Sequence, residues 1–255
     1  MSSEERFGYE WNKYSHLDKN YEAQFKNWVY PLTAEDFRDK KILDAGCGMG
    51  RNSYWSLKWG AKAVVAFDHD HRSVAAAQKN LKEFRNVEIL YKNIYEITWE
   101  NEFDLVFSIG VIHHLEKPKE ALKSLVRALR PGGILLIWIY SYEGNEWIVK
   151  YINPIRKHFT SHLPSFLVHK ISYFFSLPLW FFVKIFKGPT NYLKQLSTFK
   201  FWHIQSIVFD QLIPRIANYW KKEEVLSLVK DLNLQEININ QPLNNCGWTL
   251  IGKKS

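Results

Sequence analysis

Asp44, Gly46, Gly48, Gly50 and Asp68 are the residues whose types and spacing most directly imply chemistry in this chain. The run Ile42-Leu43-Asp44-Ala45-Gly46-Cys47-Gly48-Met49-Gly50-Arg51-Asn52 sets three glycines between a β-rich run and a helical pattern. Glycine tolerates backbone angles closed to other residues and lets a ligand approach the main chain. Asp68 ends the next β-rich run, where an acid accepts hydrogen bonds from ribose hydroxyls. These features predict a bound nucleoside, and Asp44 speaks to its charge. The dinucleotide fingerprint is G-x-G-x-x-G, with a loop placed for a pyrophosphate. Here the spacing is G-x-G-x-G, and a carboxylate two residues before the first glycine would repel a pyrophosphate. The same carboxylate attracts an ammonium or a sulfonium. S-adenosylmethionine meets both demands, and a dinucleotide dehydrogenase is disfavoured on the same grounds.

A sulfonium donor is already a strong electrophile, so the protein's main task is to hold a nucleophile in line with it. A general base is needed if the acceptor must lose a proton. His113 and His114 follow the β-rich run FDLVFSIG, at the edge of a sheet where such folds bind ligands. Histidine titrates near neutral pH and suits a base, so these two are the candidate catalytic residues. His203, Asp210, Tyr140 and Tyr142 are the other candidates. His69 and His71 flank the ribose acid and lack partners at metal-ligand spacing, so no metal site is expected. Cys47, inside the glycine loop, reads as a packed residue and not as a nucleophile.

Positioning these residues requires a sheet. Between residues 40 and 140 the β-rich runs KKILDAG, AVVAFD, NVEILY, FDLVFSIG and GILLIWIY alternate with GRNSYWSLKWG, HRSVAAAQKNLKEF and KPKEALKSLVRALRPGG. The last two of these repeat apolar residues at three and four, as helices packed on a sheet do. Such alternation predicts an α/β fold with a parallel sheet and helices on both faces. Pro131-Gly132-Gly133 reads as the stop that turns helix into strand. From residue 221 the alternation resumes with the helical KKEEVLSLVKDLNL and the runs EININ and GWTLIGKK.

Residues 141–220 break the pattern and read as an insertion. Between 151 and 222 lie ten Lys or Arg and a single acid, Asp210, so this segment carries the chain's net charge of +8. That balance fits an anionic acceptor, an anionic membrane surface, nucleic acid or a solvated face. Prolines at 154, 164, 178, 189 and 214 divide it. ISYFFSLPLWFFVKIF at 171–186 is flanked by Lys170 and Lys187 and predicts two short helices broken at Pro178. These form either a lid whose aromatics shape an acceptor pocket or an interfacial element with snorkelling lysines. No uninterrupted apolar stretch of about 18 residues occurs, so no spanning helix is expected. The polar N-terminus shows no signal peptide, and the two cysteines, Cys47 and Cys246, suit a reducing compartment; the expected location is cytoplasmic.

ILDAGCGMGRNS resembles the glycine-rich motif of class I S-adenosylmethionine-dependent methyltransferases. FDLVFSIGVIHHLEKPKEALKSLVRALRPGGILLIWIY resembles the fourth strand, helix and fifth strand of that family's bacterial small-molecule branch. FGYEWNKY at 7–14 is similar to an N-terminal lid segment in part of the branch, and the insertion stands where branch members carry substrate-binding segments. The resemblance implies a Rossmann-like, doubly wound, mostly parallel seven-stranded sheet built from 1–140 and 221–255, with 141–220 as a helical substrate lid. It further implies that Asp44, Gly46 and Gly48 lie along the amino-acid end of the cofactor and that Asp68 holds the ribose. Asn93 and Ile94 would contact adenine, where the family usually has Asp at the first position. Ile109 or Gly110 would offer a carbonyl to the cofactor ammonium. The function expected is methyl transfer to a small-molecule or sugar-containing acceptor, at oxygen. The alternative is C- or N-methylation of a quinone or lipid precursor at a membrane surface. The expected partner is thus a small or glycan-type molecule, an anionic one included, with peripheral membrane contact the other option. A nucleic-acid partner is expected to be absent, since no Lys/Arg cluster or RNA-binding module is visible.

Overall fold

The computed structural model describes residues 3–13, 17, 20–186, 191–242 and 246–255. Tyr14, Lys187 and Pro189, named above, lie outside the described residues. The strands are β1 (Lys41–Ala45), β2 (Ala63–Asp68), β3 (Val87–Tyr91), β4 (Phe103–Ile109), β5 (Leu129–Tyr140), β6 (Leu234–Asn240) and β7 (Gly247–Lys254). They form one sheet in the order β3-β2-β1-β4-β5-β7-β6. Pairings from β3 to β5 are parallel, and β7 runs antiparallel to both β5 and β6. This is the doubly wound, mostly parallel seven-stranded sheet expected from the sequence.

The central strands are buried on both faces, so they read as continuous apolar runs and not as alternating ones. Helices cover one face with α2 (Asn20–Val29), α3 (Ala34–Phe37), α4 (Arg51–Lys58) and α5 (His71–Asn80). There Phe25, Phe37, Leu57, Ala77 and Leu81 pack against Ile42, Val64 and Phe107. The other face carries α6 (Pro118–Ala128) and α11 (Lys222–Val229), whose Leu122, Leu125, Val225 and Val229 meet Leu43, Val106 and Ile137. Strand order reverses between β1 and β4, which opens a crevice beyond the carboxyl ends of these two strands. Pro131-Gly132-Gly133 sits within β5. Leu129 already pairs with Phe103, and the ladder shifts register before Ile134 meets Leu105. The triplet therefore makes a bulge where a turn was expected, with Gly132 at φ 75°.

The segment after β5 leaves and rejoins the sheet at one point. Ser141 bridges Trp220, and Trp220 N–H donates to the Tyr140 carbonyl at 3.2 Å. Between them lie α7 (Asn153–His158), α8 (Ser165–Phe186), α9 (Asn191–Ser197) and α10 (Phe201–Leu212). α8 runs unbroken through Pro178, which corrects the expected pair of short helices. An interior proline costs a helix roughly 3 kcal/mol. Packing on both sides of the proline holds the helix in line: Val168 is buried against Phe209 and Leu212, and Val183 against Leu196 and Ile204. α8 is also long and apolar enough to cross a membrane by length and composition, the one such helix among the described residues, and 28% of its apolar window is buried. Reading only uninterrupted runs missed it, because His169, Ser172, Ser176 and Pro178 punctuate the sequence. Ser172 and Ser176 turn their hydroxyls back onto helix carbonyls, at 2.7 and 2.5 Å. The outer face leaves Phe174, Ile185 and Phe186 exposed.

The N-terminal helix α1 (Ser3–Lys13) crosses from α5 to the insertion. A Cβ at Gly8 would lie 2.0 Å from Asp70 Cγ, so only glycine permits this approach to the start of α5. On the other side Arg6 is 1% exposed. Its guanidinium donates to the carbonyls of Ser161 (3.1 Å), Leu163 (2.8 Å), Thr160 (2.8 Å) and Ile213. α1 thereby clamps the insertion over the carboxyl edge of the sheet.

Candidate active site

The loop after β1 is shaped by Gly46, Gly48 and Gly50, all at positive φ. At Gly46 (φ +82°) a Cβ would fall 2.4 Å from Val111 Cγ2, so the residue must be glycine on both conformational and steric grounds. Gly48 N–H donates to Asp68 Oδ2 at 2.9 Å, and Asp70 N–H donates to Asp68 Oδ1 at 3.0 Å. These bonds fix the carboxylate at the end of β2. Burial nevertheless pushes Asp68 up to about 6.

A cavity of about 1010 Å³ opens beside this loop. Gly46, Asp68, Asn93, Ile94 and Ile109 line it, together with Gly110. Asp44 and Gly48 do not: Asp44 lies beneath the loop, 1% exposed, and Gly48 acts through its bond to Asp68. Asp44 Oδ2 accepts from Ser53 Oγ at 2.6 Å, while Oδ1 is buried without a partner. Burial pushes this carboxyl up to about 7. An orphaned carboxylate oxygen under a glycine loop and a fixed carboxylate facing a cavity fit a nucleoside that carries positive charge. Asn93 Oδ1 accepts from Tyr95 N–H at 3.0 Å, which orients the amide at the carboxyl end of β3.

The histidine pair separates. His113 is fully enclosed and does not line the cavity. Its Nδ1 accepts from Tyr140 N–H at 3.4 Å, and its ring stacks on Tyr140 with centroids 3.8 Å apart. His114 lines the cavity beside Phe7. Its Nδ1 donates to the Ile216 carbonyl at 2.7 Å, which leaves Nε2 as the acceptor nitrogen. Burial pushes His114 down to about 3 and His113 well below its usual range, so both rings are neutral.

The other wall of the cavity comes from α1 and α10. His203, Ser206 and Asp210 recur on one face of α10 at helical spacing and all reach the cavity. Asp210 Oδ2 accepts from Tyr140 Oη at 3.0 Å, and Gln211 Nε2 donates to the same Tyr140 Oη at 3.1 Å. Glu10, 1% exposed, accepts from Ser206 Oγ at 2.9 Å through one carboxylate oxygen, and its other oxygen has no partner. Trp28, Trp138, Tyr140 and Tyr219 supply flat walls. Tyr142 lies outside the cavity, under Lys221. His71 stacks on Tyr91 at 3.8 Å, and His69 faces the cavity from the same ring. Among the described residues no group of His, Cys, Asp or Glu is arranged to hold a metal ion. Cys47 is buried, and burial raises its thiol. Sequence reasoning missed Glu10 altogether, because nothing in FGYEWNKY announces that a helix near the N-terminus meets Ser206.

Residues 43–137 match the family model described as a methyltransferase domain. The tRNA U34 carboxymethyltransferase of Cellvibrio japonicus is 34% identical over 148 residues, 55% of this chain and 45% of that protein. That of Pseudoalteromonas atlantica is 29% identical over 133 residues, 51% of this chain and 41% of its own length. The chain thus spans less than half the length of these curated relatives. Among solved structures, the magnesium protoporphyrin IX methyltransferase of Synechocystis, with SAH bound, superposes with a TM-score of 0.60 at 14% identity, over 96% of this chain and 93% of that one. The fold is that of this solved methyltransferase, and residues 43–137 carry the methyltransferase domain. The tRNA-modifying relatives overturn two expectations: a small-molecule or sugar-containing acceptor, with its quinone or lipid alternative, and the absence of a nucleic-acid partner. The cations of the insertion are spread along an acid-poor segment and form no Lys/Arg cluster that would mark such a partner in sequence.

Proposed function

We propose that this chain, which carries its methyltransferase domain at residues 43–137, moves a methyl group from S-adenosylmethionine to a base of RNA, in the cytoplasm. The observation that carries this reading is one continuous cavity, from Asp68 at the nucleoside end to Asp210 under the insertion, walled by aromatic rings. A planar base taken out of its stack fits between such rings, and enzymes that work on a base extrude it in this way. Residues 147–209 contain no Asp or Glu, so the insertion meets a phosphate backbone without repulsion. The relatives' activity on tRNA supports the same class of acceptor. A carboxymethyl donor would bring a further carboxylate into a cavity already facing Glu10 and Asp210, which favours a plain methyl group.

In this reading Asp68 accepts from the ribose hydroxyls, and Asn93 and Ile94 border the adenine. Gly46 leaves room for the amino-acid end above Asp44, and Ile109 offers its carbonyl to the ammonium. The cofactor supplies an electrophilic methyl group. The insertion, residues 141–220, roofs the acceptor and keeps water from the donor. The test is incubation with bulk tRNA and S-adenosylmethionine, followed by nucleoside mass spectrometry. One nucleoside should gain a single methyl group. Unmodified RNA, or a carboxymethyl adduct, would refute the reading.

The histidines receive different roles. His113 supports Tyr140, and His114 walls the acceptor side. His113→Ala removes a buried ring stacked on Tyr140 and should cost about 2–4 kcal/mol of stability. His114→Ala should leave the melting temperature nearer wild type and act on turnover. Equal loss of stability in both variants, read by urea denaturation, would refute this division.

A further inference from the structure

Two carboxyl groups, Glu10 and Asp210, stand on the cavity wall formed by α1 and α10. Glu10 on α1 is buried, held through one oxygen by Ser206, with the second oxygen unpartnered in a residue that lines the cavity. Asp210 stands one helical turn from Ser206 and is oriented by Tyr140 Oη, itself bonded by Gln211. Three side chains, Ser206, Tyr140 and Gln211, thus fix the two carboxyls, and one oxygen of Glu10 has no partner. A buried polar atom without a partner costs free energy, and an incoming group that bonds to it removes that cost.

We infer that Glu10 and Asp210 are the proton-handling pair for the acceptor. Asp210 takes the proton from an acidic N–H or O–H next to a ring carbonyl, and Glu10 donates to that carbonyl. This rests on the RNA reading above and narrows it to keto bases, those of the uracil or guanine kind. Two carboxyls facing one apolar cavity cannot both ionise cheaply, so they hold one proton between them. Burial and the neighbouring Asp210 raise Glu10 furthest. Asp210 is raised less, since it accepts a bond from Tyr140 and feels Arg51 and Arg156. The arrangement is therefore a carboxylic acid beside a carboxylate, a donor beside an acceptor. In the transfer the acceptor N–H or O–H bond breaks and its proton passes to Asp210. The freed electron pair forms the bond to the methyl carbon, the carbon–sulfur bond breaks, and the sulfonium leaves as a neutral thioether. Asp210 returns the proton to solvent as product departs.

The test compares wild type, Asp210→Asn, Glu10→Gln and Glu10→Leu on bulk tRNA with methyl-labelled S-adenosylmethionine, alongside S-adenosylhomocysteine affinity and melting temperature. Asp210→Asn should lower turnover by roughly 10²–10⁴-fold, the usual worth of a general base, at unchanged nucleoside affinity. Glu10→Leu should cost roughly tenfold to a hundredfold, and Glu10→Gln, whose amide still donates, should recover most of it. The label should sit on uridine- or guanosine-derived nucleosides. If Asp210→Asn does not fold, the two Glu10 variants decide the matter. Label on adenosine or cytidine, wild-type turnover in Asp210→Asn, or identical behaviour of the Glu10 variants overturns the pair and leaves the RNA reading standing. No label in any RNA with wild type overturns the RNA reading and the acceptor class together.

Discussion

Arg6→Met is expected to destabilise the protein by about 3–5 kcal/mol, the range for stripping one partner from a buried charged network. The guanidinium reaches four backbone carbonyls of the insertion from a position 1% exposed to solvent. A hydrogen bond to a charged group contributes about 1.5–3 kcal/mol. Relaxation and water entry recover part of that sum, so the loss falls below the total of four. Methionine keeps much of the apolar stem, so the loss reports the head group and not the packing. Nucleoside binding should weaken in the same variant, because Phe7 and Glu10 on α1 form part of the cavity wall. Urea denaturation and calorimetric titration with S-adenosylhomocysteine check both. Wild-type stability would show that α1 is held by its apolar contacts alone.

Asp68→Ala is expected to weaken S-adenosylhomocysteine binding by at least about tenfold, and by a hundredfold if both ribose hydroxyls lose charge-assisted bonds of about 1.5–3 kcal/mol each. The fold should persist, since β2 keeps its pairing with β1 and β3. The carboxylate also carries a pH signature. Burial raises it from 3.8 to about 6 in the folded chain. A raised carboxyl binds its proton more tightly when folded, so by itself it makes the free protein less stable as pH rises from about 4 to about 6. Nucleoside binding runs the other way: the ionised form accepts from the ribose, so affinity should fall as pH drops through about 6. Asp68→Asn should remove that component and leave any contribution of Asp44. Unchanged affinity in Asp68→Ala would show that the ribose lies elsewhere.

The sheet was legible because its information is local. Each strand announces itself as an apolar run, and Gly46, Gly48 and Gly50 declare a loop through backbone angles that other residues avoid. Asp68 could be placed on the crevice from its strand end, and Asn93, Ile94 and Ile109, which also line the cavity, only through the family resemblance. The acceptor side was opaque because its contacts span the chain. Glu10 meets Ser206, 196 residues away, and Arg6 meets Ile213, 207 residues away. No periodicity marks such a pairing. Pro178 misled in the opposite direction: its local rule predicts a break, and tertiary packing on both sides of it overrides the rule. His113 and His114 are neighbours of one type, and only the direction in which each points tells them apart. The acceptor class failed for a different reason. The resemblance ran to a branch of the family, while the composition of the insertion fits phosphate as well as it fits a small anion.

Ser141 and Trp220 stand side by side, so the polypeptide departs from the sheet and returns to it through a single gate. A segment joined in this way can be exchanged like a cartridge, since β5 and α11 need only be handed back to each other. Arg6 adds a condition to such a chimera. Its guanidinium reads the carbonyls of the imported segment, so a transplanted insertion must travel with its own α1. The exchangeable unit is therefore discontinuous: a short N-terminal helix and a distant stretch of chain that must change together.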